Sequence, residues 1–208
     1  MSELWLVRHG QTDWNLEGRY QGQADVPLNE TGLAQARCLA DSLTGKVFKA
    51  LYSSDLTRAR QTAEILGGRL GLTPCIDIRL REIDQGEWEG MAFHDIVSQY
   101  TGEINARSLD PVHQRAPGGE SVAEVAARVS QAANDIAHQY PHGPVLIVLH
   151  GLALATLTCQ ARSIPLAKIY EHIPENASPE VIQWPPQAQL ELDRPIASRP
   201  EHGREVQP

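Results

Sequence analysis

Short continuous apolar runs and helically spaced apolar stripes take turns along the 208-residue chain. Residues 4–7 are uniformly apolar and end abruptly in Arg8-His9-Gly10, which predicts a buried strand feeding a loop. After a polar stretch rich in Gly, Asn, Asp and Gln, Thr31 reads as a helix N-cap. Leu33, Ala36, Ala40 and Leu43 follow at helical spacing, with Gly45 as the stop. Residues 50–54 predict a second strand, and Asp55 reads as the cap of a helix whose apolar face is Leu56, Ala59, Ala63, Leu66 and Leu70. A third strand is expected at 75–78, a loop at 79–90, a short helix near 92–100 and an irregular segment at 101–119. Val122, Val125, Val129, Ala133 and Ile136 then form the stripe of a long helix. Residues 145–149 make the strongest strand pattern, ending in His150-Gly151, and a helix is expected at about 152–161. Residues 181–184 and 189–193, split by Pro185-Pro186, read as an antiparallel pair.

Strands alternating with helices predict a single-domain α/β fold, a three-layer α/β/α sandwich whose mostly parallel central sheet carries helices on both faces. The expected domain covers residues 1–194, with 79–119 an excursion over the sheet. The polar, Pro-containing residues 195–208 read as a flexible C-terminal tail. In such sheets ligands bind beyond the carboxyl ends of the strands, where His9 and His150 both fall.

Composition narrows the partners. A chain with 41% hydrophobic and 21% charged residues is too apolar for global disorder. The net charge of −8 argues against broad binding to nucleic acid or an acidic membrane, while leaving room for one small basic pocket. Cys38, Cys75 and Cys159 are widely separated, odd in number and without a CxxC pair, so they read as reduced, small core residues. The acidic Met-Ser-Glu start carries no basic n-region, and the most apolar stretch, 145–158, is too short to span a membrane. The expected location is cytoplasmic.

Imidazole is a good nucleophile that stays neutral near pH 7. His9 beside Arg8 therefore suits attack on phosphorus, with the guanidinium fork holding phosphate oxygens. An isolated Arg-His-Gly is more often a strand-end histidine bonded to backbone; the rest of the chain changes that balance. Arg58 falls in the first turn of a helix that follows a strand, where free N–H groups already favour anions. Arg60 reads as a solvated charge. Glu82 lies in an acidic loop, and a partly buried Glu can protonate a departing alcohol oxygen. The remaining histidines show no ligand spacing and read as surface residues. Trp88 reads as loop packing, whereas Tyr20, Gln85, Met91 and 101–119 are candidates for substrate selection.

Six ordered blocks (residues 6–15, 21–32, the Arg58 and Glu82 segments, Pro117-Gly118-Gly119-Glu120-Ser121, and 148–151) together resemble the histidine phosphatase superfamily, also called phosphoglycerate mutase-like. The resemblance implies roles residue by residue. His9 is the phosphorylated nucleophile, and Arg8, Arg58 and His150 clamp the phosphoryl oxygens. Glu82 is the general acid and later the base. Asn15 contacts phosphate, and Gln21, Gly22 and Gly151 line the substrate pocket. The family needs no metal or other cofactor and takes small-molecule phosphomonoesters, and the resemblance allows a homodimer. Only residues 91–117 separate Gly90 from Gly118, so the insertion that closes the mutase pocket over a bisphosphate is absent. Gln85 stands where some metal-independent phosphoserine phosphatases have His. The expected activity is metal-independent phosphomonoester hydrolysis. A bisphosphoglycerate-dependent mutase and a non-catalytic phospholigand binder are the alternatives.

Overall fold

The computed structural model describes residues 1–186. Its sheet has five strands: β1 (Ser2–Arg8), β2 (Ala50–Ser53), β3 (Pro74–Ile76), β4 (Val145–Leu149) and β5 (Pro179–Trp184). Their spatial order is β3-β2-β4-β1-β5; β5 runs antiparallel to β1 and the other pairs are parallel. The helices are α1 (Asp13–Leu16), α2 (Glu30–Ser42), α3 (Thr57–Leu70), α4 (Phe93–Gln99), α5 (Thr101–Leu109), α6 (Val122–Gln139) and α7 (Gly151–Ala161), with 3-10 turns at Ile78–Leu80, Gly86–Trp88 and Leu166–His172.

The alternation of side chains along each strand sorts the core into two layers. Leu4, Leu6, Val145, Ile147 and Leu149 pack with Val125, Val129 and Ile136 of α6 and with Leu154 and Leu157 of α7. Val7, Leu51, Leu146 and Val148 face the opposite way, against Leu39 and Ala40 of α2 and Ala59, Ala63 and Leu66 of α3. Helices therefore cover both faces, as the alternating pattern predicts. Adjacent parallel strands β1 and β4 send their following helices, α2 and α7, to opposite faces. That divergence is a topological switch point, and it opens a crevice at the carboxyl ends where His9 and His150 sit.

The structure corrects several local expectations. Helix α2 is capped by Asn29, whose side chain accepts from the Gly32 amide at 2.9 Å, so Thr31 lies within the first turn. Asp55 does not cap α3, because Arg81 takes its carboxylate at 2.5 and 2.8 Å. Asp25 supplies that cap from far away in sequence, accepting from the amide and hydroxyl of Thr57 at 2.6 and 2.8 Å. Segment 101–119 is not wholly irregular: α5 forms there and turns Ile104 and Arg107 toward the cluster of Trp88, Ile96 and Ala116. Within the 79–119 excursion, Leu80 and Ile83 join the α6-side core, whereas Trp88 and its neighbours form this separate cluster. The strand expected at 181–184 lies within β5 and pairs with β1; the partner expected at 189–193, like the tail expected at 195–208, lies outside the described residues. Cys38 and Cys75 are exposed, and only Cys159 is a core residue. Cys38 falls on the outward side of α2, and Cys75 sits on the short edge strand β3.

Candidate active site

A pocket of about 250 Å³ opens at the crevice, lined by Arg8, His9, Asn15, Gln21, Gly22, Arg58, Glu82 and Gly151, with Arg19, Tyr20, Gln85 and Tyr170 among its other walls. Backbone pairing fixes its floor. The His9 amide donates to the Leu149 carbonyl at 3.0 Å, and the Ser54 amide donates to Val148 at 3.1 Å, so the ends of β1, β4 and β2 are held edge to edge.

His9 is 3% exposed, and its Nδ1 lies 2.7 Å from the Gly10 carbonyl. A carbonyl can only accept, so Nδ1 carries the proton and Nε2 keeps its lone pair. Burial holds the His9 imidazole well below its usual 6.5, with Arg58 and Arg8 adding to the effect. The ring is therefore neutral at neutral pH. His150 is wholly buried 5.2 Å from the His9 ring, centroid to centroid, and neither of its ring nitrogens has a partner among the described residues. Burial, then Arg58 and His9, hold its imidazole well below 6.5 too. It is not among the residues that line the pocket.

Both guanidiniums are fixed by backbone. Arg58 is fully buried and donates to the Ala24 and Gly22 carbonyls, each at 2.7 Å; burial lowers it to about 10, with Glu82 opposing. Arg8 donates to the Pro174 carbonyl at 2.7 Å and is also lowered by burial. The Nε atoms of both are buried without a partner among the described residues. Gly22 has φ +51°, and a Cβ there would lie 2.1 Å from the Glu89 carboxylate, so the loop that grips Arg58 requires glycine.

The Glu82 carboxylate sits over the N-terminus of α7. It accepts from the amides of Leu152 and Ala153 at 3.1 Å and of Ile83 at 3.0 Å. Arg128 holds the loop beneath it, donating to the carbonyls of Arg79, Arg81 and Glu82 at 2.7–2.8 Å while paired with Glu120 at 2.7 Å. Asn15 spends its carbonyl on the Thr12 cap of α1, and Asn176 donates to the His9 carbonyl at 2.9 Å.

The sequence-predicted residues thus converge, with His150 buried against the His9 ring and outside the pocket lining. Arg128, Asn176 and Tyr170 were missed. Arg128 looks like any polar-face arginine of an amphipathic helix, and nothing local to Asn176 or Tyr170 signals that a distant loop meets β1. Arg60 is exposed, Trp88 is fully buried packing, and His94 and His113 are exposed, all as expected.

Two outcomes follow from this geometry. Both histidines titrate lower folded than unfolded, so the unfolded chain takes up protons first as pH falls. Stability should be unaffected by them above about pH 6.5 and erode below it, toward their folded values. Denaturant midpoints from pH 7.5 to 5 should fall more steeply in the wild type than in His150→Gln; equal slopes would refute the assignment. Arg128→Met should release the Glu82 loop and lower kcat by roughly 10- to 100-fold, the cost of displacing a positioned side chain by about an ångström. The dissociation constant for inorganic vanadate should move far less. Equal changes in both would mean that Arg128 merely supports the fold.

A mostly parallel sheet, a neutral histidine with one free nitrogen at a strand end, two fixed guanidiniums and a helix-terminal carboxylate define a class: an α/β enzyme that handles a phosphorylated small molecule. Residues 4–192 match the model of the histidine phosphatase superfamily (branch 1), and the chain belongs to that family. It is 32% identical to phosphoserine phosphatase 1 of Hydrogenobacter thermophilus, over 88% of this chain and 86% of that one. It is 36% identical to a probable phosphoglycerate mutase GpmB of Yersinia pestis, over 79% and 77%. Among solved structures, a mycobacterial glucosyl-3-phosphoglycerate phosphatase complexed with VO3 superposes with TM-score 0.80 at 35% identity, covering 87% and 90%. A putative α-ribazole-5′-P phosphatase from Escherichia coli gives 0.80 at 27%, covering 86% and 89%. The chain is accordingly a phosphoric monoester hydrolase of a superfamily that works through phosphohistidine. Among the described residues no helix is long and apolar enough to cross a membrane, and no cluster of three His, Cys, Asp or Glu is arranged to hold a metal.

Proposed function

We propose that His9 is the nucleophile of a two-step hydrolysis of small phosphomonoesters that needs no metal. Its Nε2 attacks phosphorus, the P–O bond to the alcohol breaks, and Glu82 delivers its proton to the departing oxygen. Water then attacks phospho-His9 while Glu82 takes its proton, and the P–N bond breaks to give inorganic phosphate and neutral His9. Arg8 and Arg58 hold the phosphoryl oxygens and offset the charge that spreads over them in transfer, while the wholly buried His150 packs beside the His9 ring. Asn15, Gln21, Gly22 and Gly151 shape the pocket around the phosphate. The observation that carries this reading is the Nδ1 bond from His9 to Gly10, which leaves the lone pair of Nε2 free in a pocket lined by two guanidiniums.

The test is a discontinuous assay in EDTA with phosphoserine, phenyl phosphate and 3-phosphoglycerate, the last with and without 2,3-bisphosphoglycerate. Free phosphate from several esters is the expected result. The second reading, a mutase, rests on the relative named a probable phosphoglycerate mutase. It predicts 2-phosphoglycerate only when the bisphosphate is present. Binding of phosphate without turnover of any ester would favour a recognition role. Residues 1–194 as the folding unit, a homodimer and a cytoplasmic location stay part of this proposal, as does the absence of nucleic-acid and membrane partners.

A further inference from the structure

Beyond the catalytic pocket lies a second cavity of about 470 Å³, which shares Tyr20 and Tyr170 with it. Its sides are the Tyr20–Phe93 stack, with rings 10° from parallel, and Ile104 of α5. Lys168 and Glu171, both exposed, also line it. Arg107 is a wall residue of this cavity although it is only 7% exposed. Its guanidinium lies 4.7 Å over the Trp88 ring and donates one weak bond, 3.3 Å, to Gln85, itself a wall residue of the catalytic pocket.

What Arg107 lacks is an anion. It forms no salt bridge among the described residues, and its Nε and Nη2 are buried with no acceptor; the Nε1 of Trp88 beside it is in the same position. Buried charge is costly unless paired, and two guanidinium donors of a cavity-wall residue without an acceptor mark a site completed from outside. A surface arginine would need no such explanation. This one is held by an aromatic stack next to the phosphoryl pocket and linked to it through Gln85.

Resting on the hydrolase reading above, we infer that the second cavity receives the alcohol part of the substrate and that Arg107 binds a second anionic group there, a carboxylate in the first instance. The preferred substrates are phosphomonoesters whose alcohol carries its own acid. The phosphate sits between Arg8 and Arg58, the body of the molecule passes Tyr20 and Tyr170, and the acid meets the planar fork of Arg107.

Two matched ester pairs test this: phosphoserine against phosphoethanolamine, and 3-phosphoglycerate against glycerol 3-phosphate. Within each pair the phosphate ester is the same and only the acid differs. In the wild type kcat/KM should favour the acidic member by about tenfold or more, the size expected of a buried charge-assisted bond. Arg107→Met should bring that ratio close to one, and Arg107→Lys, which keeps the charge and the stem against Trp88, should leave it intermediate. A wild-type ratio near one would mean that water alone fills the space and would overturn the inference. So would a ratio unchanged in either variant, and if Arg107→Met fails to fold, the Lys variant and the wild-type ratio decide. Phenyl phosphate separates the two readings: hydrolysis of it with no preference within the pairs overturns only the acid subsite, whereas no hydrolysis of any ester overturns both.

Discussion

His9→Ala is expected to lower kcat/KM for every phosphomonoester by roughly 10⁴-fold or more, the order seen when a covalent nucleophile is removed from an otherwise intact site. It should also abolish the acid-labile, base-stable phosphoenzyme that brief exposure to labelled substrate traps in the wild type. The size of the effect follows from what the remaining residues can do. Arg8 and Arg58 are tied to the carbonyls of Pro174, Ala24 and Gly22 rather than to His9, so the anion clamp survives the substitution. Backbone pairing at this position also survives, because the bond from residue 9 to Leu149 uses the amide. Inorganic phosphate should therefore still bind to His9→Ala with little loss. Retained hydrolysis near the wild-type rate would end the phosphohistidine mechanism for this chain, while loss of phosphate binding as well would make His9 part of the clamp.

The layers of the fold were legible because period-two and period-3.6 patterns report burial directly: burial is one-sided for α2, α3 and α6, two-sided for β1 and β4, and all round for α7, which reads as a continuous apolar run. Elements fixed by distant side chains were less so. Asp55 has the local signature of a cap, yet Arg81 competes for it, and the cap arrives from Asp25 in a loop about thirty residues upstream. Helix α5 was hidden because its buried face is short and centred on an arginine, which reads as polar in any pattern.

The site divides the same way. His9, Arg58 and His150 each follow a strand, so the parallel order of β1, β4 and β2 is enough to bring them to one edge. Glu82 is different: its loop carries no periodic signal, and its place depends on Arg128 beneath and on the amides of α7. Tertiary contacts of that kind become visible only when the chain is folded.

The dependence of Glu82 on those amides shapes the second large effect. In Glu82→Gln the amide oxygen can still accept from Ile83 and Ala153, while its NH₂ group is left facing the Leu152 amide. The fold should tolerate that single mismatch, but no proton is available for a departing alkoxide. Hydrolysis of alkyl phosphates should fall by roughly 10²- to 10⁴-fold, the usual range for a positioned general acid. An aryl ester such as 4-nitrophenyl phosphate leaves as a stabilised phenolate and needs no proton, so its first step should be much less affected. Its second step still lacks the base that activates water. The variant should then release one nitrophenolate per site in a burst, stall, and accumulate phospho-His9, with vanadate binding retained because the clamp of Arg8 and Arg58 is untouched. Equal losses on alkyl and aryl esters with no burst would remove Glu82 from proton transfer and leave it a structural ligand of the α7 N-terminus.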